Sequence, residues 1–344
     1  MTDPQAEYRT ATRDDANPGL QEVIGLIERA TAEIRSAPRK QRLAAIRQVM
    51  ARGFVEPSPA ADGSAYRFQD AQVGKVRGEW VLSPHADPHR RLLYLHGGGF
   101  VSGCPYGFRV ISTQLARVTA ASVLALDYRL MPEHSRRDMI DDCQQAYRWI
   151  LEHGPAGPTP IRQLFVAGDS AGGNLTLMLI AWARDQGLRA ADGVMAFSPS
   201  VDMTLASPSL KRNLASDLML GPGLRRFLKI PRVLFLPMIA IWNRMRPSNP
   251  LISPLFGDLA GLPPTLVQAS EAEMLLDEAR RYVDKARAAG SPAQLETWPD
   301  MPHVWQLFEP ILPEAREAFE QVGRFVASCS PATKTESMPK ETKR

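Results

Sequence analysis

Between Leu20 and Met50 apolar residues recur at helical spacing (Val23, Ile24, Ile27, Ala30, Ile34), which predicts one or two amphipathic helices ahead of the main body. Past Gly53 the pattern turns extended, and Glu79-Trp80-Val81-Leu82 reads as a strand. From Arg91 onward short apolar runs alternate with longer stretches of helical period. Strand 92–95 precedes a helix near 110–118, strand 123–126 a helix near 139–150, and strand 164–167 a helix opening near Asn174. Strand 194–197 leads into an irregular interval. Strand 265–269 then precedes a helix near 276–289, and strand 295–298 one near 315–326. Alternation of this kind predicts the α/β class, a mainly parallel central sheet with helices on both faces.

The interval 204–250 breaks that rhythm. It is Pro-rich, apolar and basic, and reads as an insertion into the sheet domain. Residues 1–18 are polar and expected to be mobile. The stretch 329–344, rich in Thr, Lys, Pro and Ser, is expected to form a disordered tail. The expected division is N-terminal helices over 1–50, a sheet domain over 51–328 carrying the insertion, and the tail.

At 344 residues the chain exceeds one ordinary domain of ~100–200, which fits a large α/β domain with attachments. Hydrophobic residues at 44% and charged residues at 23% exclude a disordered, collagen-like or coiled-coil chain. A net charge of +4 is too small to argue for a nucleic-acid partner on net charge alone. Cys104, Cys143 and Cys329 form no CxxC pair, so a disulfide framework and a cysteine zinc site are both disfavoured and a reducing compartment is expected. The start, Met1-Thr-Asp-Pro-Gln, has neither the basic nor the apolar region of a secretion signal. The longest apolar run, Val233 to Trp242, contains Pro237 and is half the ~20 residues a membrane span requires. A cytoplasmic location follows as the expectation.

The sharpest chemical signal is Gly168-Asp169-Ser170-Ala171-Gly172, a G-x-S-x-G between a strand and a helix. A serine on so sharp a turn projects its hydroxyl clear of the sheet. The turn crowds strand against helix, so only very small residues fit two positions before and after it. Ser170 is the candidate nucleophile. Directly after strand 92–95 comes His96-Gly97-Gly98-Gly99-Phe100, whose three glycines free backbone N–H groups to converge on an oxyanion. A phosphate-cradling loop is disfavoured, because neither nucleotide-loop pattern can be laid on these residues.

An activated serine needs a base, and six histidines are available. His85, His89 and His153 read as surface residues, and His96 and His134 as parts of glycine or proline loops. His303, in Asp300-Met-Pro-His-Val-Trp just after the last strand, lies on the same sheet edge as Ser170 and is the preferred base. Carboxylates to orient it follow strand 265–269: Glu271, Glu273, Asp277 and Glu278. The order serine, acid, histidine is that of α/β-hydrolases, and all the candidates lie beyond the carboxyl ends of strands, where open parallel sheets place their sites. No His/Cys cluster has metal-ligand spacing, so neither a metal nor an organic cofactor is expected.

With these residues in hand, the chain resembles the bacterial hormone-sensitive-lipase-like esterases of the α/β-hydrolase fold from about Trp80 to Phe325. The match lies in Tyr-Leu-His-Gly-Gly-Gly-Phe (94–100), Asp-Tyr-Arg-Leu-Met-Pro-Glu-His (127–134), Gly-Asp-Ser-Ala-Gly-Gly (168–173), Ser-Pro-Ser-Val-Asp (198–202) and Met-Pro-His-Val-Trp (301–305). The resemblance implies Ser170 as nucleophile, His303 as base, and the N–H groups of Gly98, Gly99 and Ala171 as oxyanion hole. It implies a structural polar cluster of Asp127, Arg129 and Glu133 under the glycine loop. It also makes a homodimer a familiar arrangement.

Two departures from the family pattern stand out. Its usual Asp-Pro-Leu at the acid position is matched here by Glu273-Met274-Leu275, and Ser-Arg-Arg-Asp (135–138) replaces an apolar, Pro-containing continuation. Glu273, three residues past the strand and in the loop, is preferred as the acid over Asp277, which stands beside a helix start with a structural task at the positive end of the dipole. Glu278 is expected on the helix surface.

The expected activity is hydrolysis of short-to-medium acyl carboxylic esters through an acyl-enzyme, with the N-terminal helices and the insertion as a cap. A lactonase or amidase with the same triad is the alternative, and a non-catalytic receptor is disfavoured by the presence of His303. A membrane-associated lipid hydrolase is kept open by 221–246. Between Asp217 and Asp258 six cations (Arg225, Arg226, Lys229, Arg232, Arg244, Arg246) stand with no acid, interleaved with apolar residues. Two readings compete there: a cap whose apolar face lines the acyl pocket, and contact with an anionic membrane surface.

Overall fold

A computed structural model describes residues 17–59, 63 and 65–329, so the expectations for residues 1–16 and 330–344 lie outside the described residues. Two helices come first, α1 (Pro18–Ser36) and α2 (Arg42–Arg52). The sheet region then runs β1 (Arg67–Val73), β2 (Val76–Leu82), β3 (Asp87–Leu95), α3 (Arg109–Thr119), β4 (Ala121–Asp127) and α4 (Arg136–Glu152). A small hairpin, β5 (His153–Gly154) and β6 (Gly157–Pro158), leads to β7 (Gln163–Asp169), α5 (Ala171–Asp185) and β8 (Gly193–Phe197). The insertion carries α6 (Ser209–Arg212), α7 (Gly221–Leu224) and α8 (Arg232–Asn243). The chain closes with β9 (Thr265–Ser270), α9 (Leu276–Ala288), β10 (Ala293–Trp298) and α10 (Pro313–Cys329).

Eight strands form the sheet in the order β1-β2-β4-β3-β7-β8-β9-β10. The pairs β1/β2 and β2/β4 are antiparallel and the rest parallel, as the alternating pattern predicted. Because successive strand residues point to opposite faces, each central strand feeds two cores. Leu93, Leu95, Leu124, Leu126 and Val166 meet α4, α5 and α9 on one face. Leu92, Tyr94, Val123, Ala125 and Phe165 meet α1, α3 and α10 on the other. Both faces are covered, which accounts for strands that read as nearly unbroken apolar runs.

Several local expectations need correction. Asn17 and Pro18 open α1, with the Asn17 side chain accepting from Leu20 N, and Cys329 is the last residue of α10 rather than part of a tail. His89 stands inside β3, and its Nδ1 lies 2.9 Å from the Pro160 carbonyl oxygen. Strand β1 was not foreseen. Asp127, Arg129 and Glu133 do not form one cluster: Arg129 pairs with Asp142 and Asp138 on α4, Glu133 pairs with Arg47 of α2, and Asp127 faces Arg77 of β2. The departure at 135–138 writes a capping box, Ser135 accepting from Asp138 N while Asp138 accepts from Ser135 N, so α4 begins cleanly there.

In the insertion Leu205, Leu214, Leu220, Leu224 and Leu228 pack on Leu210, Met274 and Leu275 to form a third, smaller core. It sits against the loop that follows β9, which couples the insertion to the acid residues.

Arg91 is fully buried in β3, and among the described residues its side chain bonds carbonyls and no carboxylate. Its guanidinium donates to the carbonyls of Ile150 (2.8 Å) and Thr159 (2.6 Å), satisfying the end of α4 and the segment after it, and burial lowers its pKa. Arg91→Met would leave those carbonyls without a donor and is expected to lower stability by roughly 2–5 kcal/mol. A urea titration followed by circular dichroism reads the change, and an unaltered midpoint would contradict it.

Candidate active site

Strand β7 ends at Asp169 and helix α5 begins at Ala171, three residues earlier than the sequence pattern suggested. Ser170 is the whole connection. Its backbone sits at φ 51°, ψ −114°, a conformation that side chains other than glycine adopt only when the surroundings impose it. Here its N–H donates to the Phe197 carbonyl at 2.8 Å and its carbonyl accepts from Asn174 and Ser200. The two glycines that flank it are sterically required. A Cβ at Gly172 would run into the carbonyl oxygen of Leu95 at the end of β3, and one at Gly168 into that of Gly172.

His303 lies in the loop after β10, 3% exposed, with Nε2 2.9 Å from Ser170 Oγ. Its Nδ1 is 2.7 Å from Glu273 Oε2, and Glu273 is fully buried. Glu273 Oε1 accepts from Ser270 N at 3.0 Å, so both carboxylate oxygens are occupied. The His303 loop is pinned by Ser270 Oγ, which donates to the Met301 carbonyl at 2.6 Å, and by Ser198 Oγ, which accepts from Val304 N at 3.2 Å. Burial by itself would lower the His303 pKa. The hydrogen bond and charge of Glu273 outweigh it, with Asp217 and Asp169 adding, so the pKa is raised.

The glycine loop lies beside the serine. The Gly98 carbonyl accepts from Val101 N and Ser102 N, and Gly98 and Gly99 take φ of 113° and 63°. Among the described residues no hydrogen bond occupies the N–H groups of Gly98, Gly99 or Ala171. Such groups at the start of a helix and a glycine turn suit developing negative charge. Helix α2 braces the loop: Arg47 donates to the carbonyls of Val101 (2.8 Å) and Met131 (3.0 Å).

Sequence reasoning missed Asp169 and Asp217. Asp169 is buried beneath the glycine loop, where Oδ1 accepts from Tyr94 Oη (2.6 Å) and Gly97 N (2.9 Å). Burial pushes its pKa up to about 7 against those bonds and the charge of His303. Its signal was present, an acid inside the serine box at the end of an apolar strand. Asp217, the last acid before the acid-free stretch, is buried and accepts from Met274 N (2.9 Å) and Leu220 N (2.8 Å).

The remaining acids stand apart from His303. Asp277, in the first turn of α9, accepts from Ser209 N and pairs with Arg212. Glu271 bonds Thr297 and approaches Arg280. Glu278 contradicts the expectation of a surface position: it is buried and accepts from Val201 N (2.7 Å) and Asp202 N. Burial and the charge of Asp202 hold its pKa well above the usual carboxylate range. His96 is likewise buried, stacked on Tyr128, and burial drives its pKa down to about 4. Among the described residues no group of three or more His, Cys, Asp or Glu could hold a metal ion.

Comparison with known proteins agrees with this fold. A family model described as the alpha/beta hydrolase fold matches residues 92–307. An acetyl-hydrolase of Streptomyces hygroscopicus is 37% identical over 259 residues, 75% of this chain and 82% of the relative. A carboxylesterase/phospholipase of Mycobacterium tuberculosis, LipF, is 34% identical over 69% of this chain and 61% of its own length. The crystal structure of an esterase from the bacterial hormone-sensitive lipase family superposes with a TM-score of 0.75 at 34% identity, covering 93% of this chain and 99% of the other. The chain belongs to the hormone-sensitive-lipase-like esterases of the α/β-hydrolase fold. It is an enzyme with carboxylesterase/lipase-type activity.

The raised Asp169 pKa has a consequence for stability. The folded state holds this proton from about pH 4 to about pH 7 while the unfolded chain has released it, so the carboxyl's contribution is complete at acid pH and is lost as pH rises through that window. Asp169→Asn keeps the acceptor for Tyr94 and Gly97 but cannot titrate. Urea midpoints measured from pH 4 to 8 should decline less with pH in the variant, and parallel profiles would refute the assignment.

Proposed function

We propose that the chain hydrolyses carboxylic esters through an acyl-enzyme on Ser170, with His303 as base, Glu273 as its orienting acid, and Gly98, Gly99 and Ala171 as oxyanion hole. The observation that carries this is the unbroken relay from Glu273 to His303 (2.7 Å) to Ser170 (2.9 Å). Ser170 Oγ attacks the ester carbonyl carbon as its proton passes to His303 Nε2. The C=O electron pair moves onto oxygen, where the free N–H groups hold the charge. On collapse the C–O bond to the alcohol breaks, and the alcohol leaves with the proton from Nε2. Water, deprotonated by the same nitrogen, then releases the acid and restores the serine. Glu273 keeps Nδ1 as the donor and stabilises the imidazolium.

The favoured substrates are short-to-medium acyl esters. One relative is named an acetyl-hydrolase, and a similar structure, EstE5 at TM-score 0.75 and 34% identity, was soaked with p-nitrophenyl butyrate. The N-terminal helices and the 204–250 insertion serve as a cap. That division is supported by Arg47 bracing the glycine loop and by Asn213 Nδ2, which donates to the carbonyls of Glu271 and Glu273 at 2.8 Å each. The spacing of Cys104, Cys143 and Cys329 favours the cytoplasm as its compartment.

Ser170→Ala is expected to abolish turnover of p-nitrophenyl esters while preserving the circular dichroism spectrum, and a fluorophosphonate should label Ser170 alone. Label on another serine, or most of the activity surviving in the variant, would overturn the mechanism.

The acid is tested by pH. Because His303 must be neutral to act as base and its pKa is raised, kcat/KM should fall on the acid side at a pH above the ordinary histidine value of 6.5. In Glu273→Gln the lost charge should move that limb to lower pH and reduce kcat by roughly 10⁴, whereas Asp277→Asn should leave both nearly unchanged. The opposite pattern would transfer the role to Asp277.

A further inference from the structure

Helix α8 is apolar on every side, Arg-Val-Leu-Phe-Leu-Pro-Met-Ile-Ala-Ile-Trp-Asn, which in a globular protein marks a helix covered all round. Only one side of it is covered. Phe235, Leu236, Ile239 and Ala240 are half-buried and Asn243 is buried. Val233, Leu234, Pro237, Met238, Ile241 and Trp242 all face outward. They recur in pairs every four residues and so form one continuous stripe. Val233 and Ile241 are 75% and 78% exposed, far from the condition of residues that line an acyl pocket. Phe227, 47% exposed and 6.0 Å in ring centroid from Phe235, extends the stripe toward the preceding turn.

Cations frame this face. Arg225, Arg226, Lys229 and Arg232 precede the stripe and Arg244 and Arg246 follow it, all exposed and none in an ion pair among the described residues. The local charge of +6 exceeds the +4 of the whole chain, leaving −2 for the remainder. A second copy is a poor occupant, because a two-fold contact would set this acid-free patch against itself and bring six cations onto six. An anionic lipid surface satisfies both features, since the stripe enters the acyl boundary while the cations meet headgroups. At about 18 Å the helix is too short to span a bilayer and suited to lying in its surface, with Trp242 at the interface.

We propose that α8 with its flanking cations docks this enzyme on anionic bilayers. The docking stands on the exposed stripe and its charge, independently of the roles assigned to Ser170, His303 and Glu273.

The test uses the full chain and no turnover. Phosphatidylcholine vesicles with and without phosphatidylglycerol are pelleted with the protein at low salt and again at about 1 M salt, where the screening length is about 3 Å. Binding is expected with the anionic vesicles alone, with release at high salt. Two variants confined to exposed side chains separate the contributions. Ile241→Ser with Trp242→Ser should weaken partitioning at least roughly tenfold. Arg225→Gln, Arg226→Gln and Lys229→Gln together should weaken it on anionic vesicles by a similar factor. Circular dichroism checks that both variants fold. Absence of binding at low salt, equal binding to both vesicle types, or full binding by the Ile241/Trp242 variant would overturn the proposal. So would a lipid-free dimer in sedimentation velocity that this variant dissociates, since a second copy would then own the face.

Discussion

The site depends on one close approach, that of the Gly172 backbone to the end of β3. With no side chain at 172, α5 can press against the carbonyl of Leu95, and β7 can turn into α5 within one residue. That contact brings three things to one place: the strained Ser170, the N-terminal N–H groups of α5, and the glycine loop that leaves β3 immediately after Leu95. A methyl group at Gly172 would separate the loop from the helix, and the proposed oxyanion donors belong to both. The cost of holding Ser170 at positive φ is offset by the Phe197, Asn174 and Ser200 backbone bonds, so neighbouring strands and the loop after β8 share in fixing it.

Around this contact the protein uses buried carboxylates as backbone clamps. Asp169 fastens Gly97, Glu273 fastens Ser270, Asp217 fastens Met274 and Leu220, and Glu278 fastens Val201 and Asp202. Two of these clamps, Asp217 to Met274 and Glu278 to Val201 and Asp202, join segments that no strand ladder connects. Burying a carboxylate is unfavourable unless N–H groups or a cation compensate it, so each is held by the loops it organises. The raised pKa values of Asp169 and Glu278 record how incomplete that compensation is, while the charge of Glu273 is strong enough at His303 to reverse the effect of burial on the imidazole.

What was legible in the sequence was local. The central strands are covered on both faces and therefore print continuous apolar runs, and the serine turn demands small residues at fixed offsets, so both could be read directly. Strand β1 escaped because it stands at the sheet edge, where Arg67, Gln69, Asp70 and Gln72 face solvent and dilute the alternation of a two-faced strand. Glu278 was misplaced although a signal existed. It lies four residues before Tyr282 and eight before Ala286, on the same inward face of α9, and its charge alone suggested the surface. The contacts of Asp127, Arg129 and Glu133 could not be read at all, since proximity in sequence says nothing about partners from α2, α4 and β2.

The departure at the acid position now has a structural meaning. Where the family pattern has Asp-Pro-Leu, this chain has Glu273-Met274-Leu275, and Met274 N donates to Asp217 of the insertion. Proline has no N–H to give, so the family's residue could not make this bond. The same loop is held a second time by Asn213, which donates to the carbonyls of Glu271 and Glu273, and its side chains Met274 and Leu275 complete the apolar core of the insertion. The acid loop and the insertion are thus one packed unit. From that unit Glu273 reaches His303 Nδ1 at 2.7 Å, so the packing of the insertion against Met274 and Leu275 also bears on where the Glu273 carboxylate stands.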